Sequence, residues 1–231
     1  MTSRSHHGLV RLNNEDCVHC ELEGRFVVLA DGMGGLLAGE VASAVAVDAA
    51  CKQLRDPTCP RNSADDLAEI LKVTNDAVAA RAKAMRYVGK MGTTLVIWAM
   101  HEEAAYFSYV GDSRLYTYTA GSLTQVSRDH TVAQRMVDQG KISQADEHTA
   151  PNRHVLTQAM GLPGAFKAES GVVPASERVL LCSDGLSDLV RADEIEAIMA
   201  TPDLDDCANF LLKAALDRGG RDNVTVALIE F

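Results

Sequence analysis

Residues Arg25–Gly35 (RFVVLADGMGG) place a short apolar run directly before an aspartate and three glycines. Such a run, bounded by a turn signal, is typical of a buried β-strand that ends at the aspartate. A similar order recurs at Val110-Gly111-Asp112 and at Ser183-Asp184-Gly185, and Asp222 stands just before a final apolar run. Because an aspartate forms strands poorly and is costly to bury alone, these strand-end aspartates indicate a shared compensating cation.

The residues of these clusters indicate which cation. They contain no His or Cys, and ligand sets made only of oxygen favour Mg²⁺ or Mn²⁺ over zinc or copper. A further cluster, Arg11–Asp16 (RLNNED), adds an arginine, whose planar guanidinium can bind a phosphate group in bidentate fashion. Two such cations can activate a water for hydrolysis of a phosphate ester. The nucleotide-binding pattern GxxxxGK[ST] is absent from the sequence, so hydrolysis is favoured over phosphoryl transfer from a nucleotide.

Each of these features also has an ordinary structural interpretation. An Asp-Gly pair is usually just a turn, Gly32–Gly35 can be a flexible loop, and Arg11 can form a surface salt bridge. Taken singly, most of the features favour these interpretations. Taken together and in this order, they favour a metal site that acts on a phosphorylated substrate.

The secondary structure predicted around the clusters is mixed. Apolar residues at helical spacing predict a helix over 39–54, and Ser63 is a suitable N-cap for a second helix that ends near residue 85. A third helix is predicted to stop at Gly219-Gly220. Strands are predicted at 93–100, 105–110, 114–119, 179–182 and 223–229. The short turns between the first three of these strands predict an antiparallel meander.

Composition limits the class of protein. The chain has 231 residues, 47% of them hydrophobic, and lacks repeats and linkers, which predicts one domain over 1–231. A net charge of −10 argues against a nucleic-acid partner. Without a membrane-length apolar run or a signal-peptide pattern, we expect a cytoplasmic protein with no membrane association. The six cysteines are then expected to be reduced, although Cys17-Val18-His19-Cys20 resembles half of a zinc site.

These residues also match a known family. The chain resembles the metal-dependent protein serine/threonine phosphatases of type 2C, in their compact bacterial form. The resemblance covers essentially the whole chain. It is carried by seven markers in register: Arg11 with Asn14-Glu15-Asp16, Ala30–Gly35, Gly92-Thr93-Thr94, Val110–Arg114, Asp129-His130, Ser183–Gly185 and Asp222-Asn223.

The resemblance implies an α+β fold, a four-layer α/β/β/α sandwich of two antiparallel sheets flanked by helices, with the metal site at one edge of the sheets. It implies two Mn²⁺ or Mg²⁺ ions. Asp31 would bridge them, the Gly32 carbonyl would join one ion, and Asp184 and Asp222 would hold one ion. Asp16 would act mainly through the water shell.

The resemblance further implies that Asp112, together with Asp184, recruits a weaker third ion and that Arg11 binds the phosphate. Asn223 is expected to support the site or to start the last strand. The segment of about 131–153 would be a flap beside the site that affects substrate choice.

One position departs from the eukaryotic pattern of the family. Those members carry a histidine, a proposed general acid, where this chain has Met33, as bacterial members commonly do. The proton donor to the leaving group therefore stays open between a metal-bound water and one of three histidines, His130, His148 or His154.

The leading functional hypothesis is a phosphatase that removes phosphate from serine or threonine in proteins and reverses a eukaryotic-like kinase. Two alternatives remain. One is a phosphatase dedicated to a single regulator, such as a secretion-system component or a sigma-factor antagonist. The other is a regulatory pseudophosphatase, which the intact ligand set disfavours. A monomer is expected.

Overall fold

The structure is a computed structural model that describes residues 1–33, 38–147, 149–164 and 166–231. Its strands are β1 (Thr2–His6), β2 (Asp16–Glu21), β3 (Phe26–Met33), β4 (Gly92–Thr93), β5 (Leu95–His101), β6 (Ala104–Val110), β7 (Arg114–Thr119), β8 (Ser122–Gln125), β9 (Glu169–Val172), β10 (Arg178–Cys182) and β11 (Val224–Glu230). Its helices are α1 (Ala38–Arg55), α2 (Ala64–Met85), α3 (Val132–Asp138), α4 (Gln144–Glu147), α5 (Asp184–Ser187), α6 (Ala192–Met199) and α7 (Leu204–Asp217).

The strands form two sheets in which every pairing is antiparallel. Sheet A has the order β1-β11-β10-β7-β8, and sheet B has the order β2-β3-β5-β6-β9, with β4 paired to β3. The sheets pack face to face through apolar side chains that include Leu29, Trp98, Leu181 and Ala227. Helices α1 and α2 cover the outer face of sheet B, and α5, α6 and α7 cover that of sheet A. The predicted α/β/β/α sandwich is confirmed.

The long helices begin and end as local sequence dictates. The hydroxyl of Ser63 accepts a hydrogen bond from the backbone N–H of Asp66 at 3.2 Å, which caps α2. One face of α2 is fully buried through Leu67, Ile70 and Leu71, and burial of each such side chain contributes about 1.5–3 kcal/mol. The two helices predicted over 39–54 and from 63 to about 85 are therefore confirmed to within about one residue.

The predicted three-stranded meander is wrong in one respect. Strands β5 and β6 pair within sheet B, but β7 pairs with β8 and β10 in sheet A. The turn between β6 and β7 carries the chain from one sheet to the other, and Gly111 in that turn has φ +104°, a conformation that glycine adopts without strain. Asp112 follows directly, so this crossover sets the position of a predicted metal ligand.

Among the described residues, no helix is long and apolar enough to span a membrane.

The six cysteines are free thiols. Cys17 and Cys20 both lie in β2, where neighbouring side chains alternate between the two faces. The pair therefore gives no sign of a zinc site.

Candidate metal centre

Asp31 and Asp16 are brought together by the pairing of β2 with β3. The two residues lie directly opposite each other in the antiparallel register. The backbone of Asp31 is held firmly, because its N–H donates to the Thr94 hydroxyl at 2.9 Å and its carbonyl accepts from the Thr93 hydroxyl at 2.8 Å. The marker Gly92-Thr93-Thr94 therefore fixes the strand end that carries Asp31.

Asp16 also ties the two sheets together at this edge. Its Oδ2 accepts a hydrogen bond from the Ser183 hydroxyl at 2.7 Å, and the same hydroxyl accepts from the Thr225 N–H at 3.0 Å. Ser183 directly follows β10 and precedes Asp184 as the N-cap residue of α5. The contact therefore places the Asp16–Asp31 pair of sheet B beside Asp184 of sheet A.

Asp222 closes the site from a position two residues before β11. Its Oδ2 accepts a hydrogen bond from Nη2 of Arg11 at 2.7 Å. The neighbouring Asn223 is 5% exposed and holds the loop that carries Arg11: its Oδ1 accepts from the Glu15 N–H at 2.7 Å, and its Nδ2 donates to the Asn13 carbonyl at 2.9 Å. Asn223 was expected to support the site or to start the last strand; in the structure it precedes β11 and anchors this loop through contacts with residues 208 and 210 positions away.

One cavity of about 710 Å³ gathers nearly all of the predicted site residues. Its walls include Arg11, Asp31, Gly32, Asp112, Asp184 and Asp222. Asp16 is the exception among the predicted ligands: it is 8% exposed and does not line the cavity. A second cavity of about 580 Å³ continues from the first and shares Asp112 and Asp184 with it.

The electrostatics of the cavity suit a divalent cation. Burial, followed by repulsion from neighbouring carboxylates, raises the pKa values of Asp31 and Asp184 well above the usual range. Burial also raises the pKa of Asp16 to about 6, and burial together with Asp129 raises that of Asp112 to about 7. Such shifts mean that the charged forms of these groups lack compensation.

Oxygen ligands with unused hydrogen-bonding capacity are available for such a cation. Among the described residues, Asp16 Oδ1 is buried without a hydrogen-bond partner, which is costly for a carboxylate in a protein interior. The ligand set consists of carboxylates and a nearby backbone carbonyl, the donors that Mg²⁺ and Mn²⁺ prefer. The residues therefore fit hard divalent cations.

Comparison with known proteins decides the family. A sequence profile described as protein phosphatase 2C matches residues 3–219.

The chain belongs to the protein phosphatase 2C family.

Two curated relatives agree with this protein phosphatase 2C membership. The chain is 37% identical over 229 residues to the serine/threonine protein phosphatase PstP of Mycobacterium tuberculosis, covering 99% of this chain and 44% of PstP. It is 32% identical over 236 residues to the serine/threonine phosphatase stp of Listeria monocytogenes, covering 98% of this chain and 94% of stp. The chain thus spans less than half the length of PstP.

A solved structure of this family supports the metal assignment. The crystal structure of the PstP catalytic domain in complex with two manganese ions matches with a TM-score of 0.86 at 36% identity, covering 99% of this chain and 96% of that one. The sequence-based expectation of a type 2C phosphatase fold is therefore confirmed, and the two manganese ions of this PstP structure agree with the expected Mn²⁺ or Mg²⁺ cofactor.

The histidines considered as proton donors occupy different places in this protein phosphatase 2C fold. His130 is 7% exposed, stacks on Tyr109, accepts a hydrogen bond from the Gly111 N–H through Nδ1 at 3.1 Å, and lines neither of the two cavities. His154 lines both cavities. His148 lies outside the described residues. Met33 also lines the larger cavity, and its thioether carries no proton to donate.

Sequence reasoning did not single out two further residues of the cavity wall. Arg153, at the end of the predicted flap, and Asp188, one helical turn after Asp184, line both cavities. The four-residue spacing between Asp184 and Asp188 was the available signal, because positions i and i+4 share a helix face. For Arg153, the sequence contains no local signal beyond its place in a polar segment.

Proposed function

We propose that this chain, over residues 1–231, is a catalytic domain that hydrolyses phosphoserine and phosphothreonine esters in proteins with a pair of Mn²⁺ or Mg²⁺ ions. The observation that carries the proposal is the convergence of Arg11, Asp31, Asp184 and Asp222 on one cavity beside Asp16. The family and the manganese-bound relative support it.

The proposed ligands are assigned to the metal ions as the family resemblance implies. Asp31 serves both ions and the Gly32 carbonyl serves one of them, while Asp184 and Asp222 hold one ion. Asp112 would join Asp184 in holding a weaker third ion. The buried Asp16 does not line the cavity, which supports a role for it through the water shell.

The bound ions would supply an activated water and positive charge for the phosphate oxygens. Among the protein's own side chains, Arg11 is the one that binds the phosphate. Its side chain is 55% exposed, and its hydrogen bond to Asp222 orients the guanidinium towards the cavity while leaving other N–H donors available. A phosphate oxyanion can therefore be held by Arg11 beside the carboxylates.

Hydrogen bonds around the cavity also fix the positions of the groups that line it. The rigid hydrogen bonds that hold Asp31 and the Asn223-anchored loop keep the arginine and the carboxylates at fixed separations. Such preorganisation lowers the cost of aligning a phosphate ester with its attacking water.

A direct test is hydrolysis of a phosphothreonine peptide with Mn²⁺, with and without a chelator. We expect activity that disappears on chelation and in Asp184→Asn, but persists in the matched control Asp65→Asn, which changes an exposed aspartate of α2. Arg11→Lys should mainly raise KM, because lysine cannot copy the planar contact. Activity that survives chelation, or that survives in Asp184→Asn, would overturn the proposal.

The biological setting is part of the same proposal. The enzyme would act as a monomer in the cytoplasm, where ATP-dependent serine/threonine kinases make phosphoproteins, and would reverse one such kinase in bacterial signalling. Light scattering tests the monomer. A panel of phosphopeptides separates a broad phosphatase from one dedicated to a single regulator. If calorimetry with Mn²⁺ detects no binding, a pseudophosphatase would be favoured.

A further inference from the structure

Part of the wall of the cavity that gathers the predicted metal ligands is apolar. Besides the carboxylates and Arg11, Met33 and Leu162 line this cavity. Leu162 is 37% exposed, although it is a large apolar residue. A Cβ built on Gly92 would lie 3.2 Å from both Leu162 Cγ and Met33 Cε, so the two side chains both cover that glycine. Together Met33 and Leu162 form an apolar shelf in the cavity wall.

The backbone that leads into the apolar shelf is held by three hydrogen bonds. The Met160 N–H donates to the Thr93 carbonyl at 2.9 Å, and the Thr93 N–H donates to the Met160 carbonyl at 3.2 Å. The Gly161 N–H donates to Asn75 Oδ1 at 2.9 Å. Because the Thr93 hydroxyl also donates to the Asp31 carbonyl, the shelf and the metal centre share one framework. A substrate therefore does not have to order the shelf when it binds.

The Arg11 loop and Leu162 are attached to opposite edges of β3. Strand β2, which follows the Arg11 loop, pairs with one edge. Strand β4, which is bridged to the segment before Leu162, continues the register of β5 along the other edge and places Gly92 opposite Met33. A phosphate held by Arg11 therefore leaves the β4 side of the cavity available to the neighbouring part of the substrate.

The spacing along β3 determines which substrate residue reaches the apolar shelf. Asp31 and Met33 are two positions apart in β3, so they share a face of the strand and are separated by about 6.6 Å. An extended substrate chain has the same repeat. For a substrate that runs along β3 with its phosphorylated side chain over Asp31, the side chain two positions away therefore meets the shelf.

We propose that Met33 and Leu162 form a subsite for an apolar side chain two positions from the phosphorylated residue. This inference rests on the proposed function and adds a substrate class to it, namely phosphoproteins with leucine or a similar apolar residue at that position. An apolar pocket discriminates a single methylene by about 10–200-fold in kcat/KM. Because the shelf is partly exposed, we expect a preference for leucine over asparagine near the lower limit, about tenfold.

Phosphothreonine peptides of otherwise polar sequence, assayed with Mn²⁺, test the subsite. One series carries leucine two positions before or two positions after the phosphothreonine, and the matched peptides carry asparagine there. We expect the kcat/KM ratio of leucine to asparagine to be about ten at one of these two positions. Leucine directly next to the phosphothreonine is the peptide control. Its side chain projects from the other face of an extended chain, so the ratio there should be close to one.

The nearly isosteric change Leu162→Asn should bring the tenfold ratio close to one, because it removes the apolar contact. Leu22→Asn is the matched control. Leu22 is 72% exposed and follows the end of β2 that lies far from Asp16, so this variant should keep the wild-type ratio. Both peptides are assayed with the same enzyme sample, and a smaller fraction of folded or metal-loaded protein therefore does not change the ratio.

Three results would overturn the subsite: a ratio near one at both positions in the wild type, a preference as large for leucine directly next to the phosphothreonine, or an unchanged ratio in Leu162→Asn. Each of these results is measured on peptides that are hydrolysed, so it would leave the proposed function standing. If the wild type hydrolysed none of the peptides, the proposed function would be refuted, and the subsite with it.

Discussion

Asn223 is not one of the proposed metal ligands, but replacing it with alanine should loosen the metal centre. The side chain makes three hydrogen bonds: it accepts from the Glu15 N–H and donates to the carbonyls of Asn13 and His7, at 2.7, 2.9 and 3.1 Å. Each is worth about 1 kcal/mol net. Asn223→Ala should therefore lower the free energy of unfolding by about 3 kcal/mol. For a chain of this length, that corresponds to a fall in Tm of about 6–12 °C.

Thermal unfolding in the presence of a chelator measures this effect without a contribution from bound metal. Asn209→Ala is a suitable control, because that exposed side chain makes one hydrogen bond, to Arg4, and its loss should change stability by about 0.5 kcal/mol or less. Calorimetry should also show weaker Mn²⁺ binding in Asn223→Ala, because the released loop leads directly into Asp16 at the start of β2. A change in Tm no larger than that of the control, with unchanged Mn²⁺ affinity, would refute the anchoring role.

Three further changes probe other contacts. A Cβ at Gly185 would lie 1.9 Å from the Asn223 carbonyl oxygen, so Gly185→Ala should lower the urea midpoint by the equivalent of about 3 kcal/mol. Asp129→Ala leaves the mostly buried Arg114 without its bidentate partner and should cost about 3–5 kcal/mol by urea unfolding. Mn²⁺ at a hundred times its dissociation constant should stabilise the wild type by about 2.7 kcal/mol in a thermal-shift assay, and Asp31→Asn should lose most of that gain.

The first two of these changes have matched control variants, and Asp31→Asn is compared with the wild type. Ser187→Ala removes a hydroxyl from the same turn as Gly185 and should be nearly neutral. Asp138→Ala breaks an exposed ion pair with Arg128 and should cost less than about 1 kcal/mol. Equal losses of unfolding free energy in the test and control variants would contradict the packing and burial arguments. A thermal shift on addition of Mn²⁺ that is as large in Asp31→Asn as in the wild type would contradict the place of Asp31 in the metal centre.

The sequence predicted those parts of the centre that depend on local pattern. Asp31 and Asp184 each follow an apolar run and adjoin a glycine, and such strand ends are recognisable without knowledge of the fold. The helices α1 and α2 were predicted for the same reason, since apolar periodicity and the Ser63 cap are local signals.

The remaining features depend on contacts between distant parts of the chain. Strand β1 (TSRSH) has no apolar alternation, and it forms because its backbone pairs with β11 at the edge of sheet A. The crossing of the chain between β6 and β7 was missed because strand periodicity does not tell which sheet a strand joins. His154 and Asp188 are 34 positions apart in the sequence and meet only in the folded chain.

The most direct test of the account is a crystal structure of the chain grown with Mn²⁺, with diffraction data collected at the manganese absorption edge. We expect two strong anomalous peaks, about 3.5–4 Å apart, that both contact Asp31, with Asp184 and Asp222 on one of them. An absence of peaks among these carboxylates, with peaks only elsewhere in the protein, would contradict the central claim that the strand-end aspartates hold the catalytic cations.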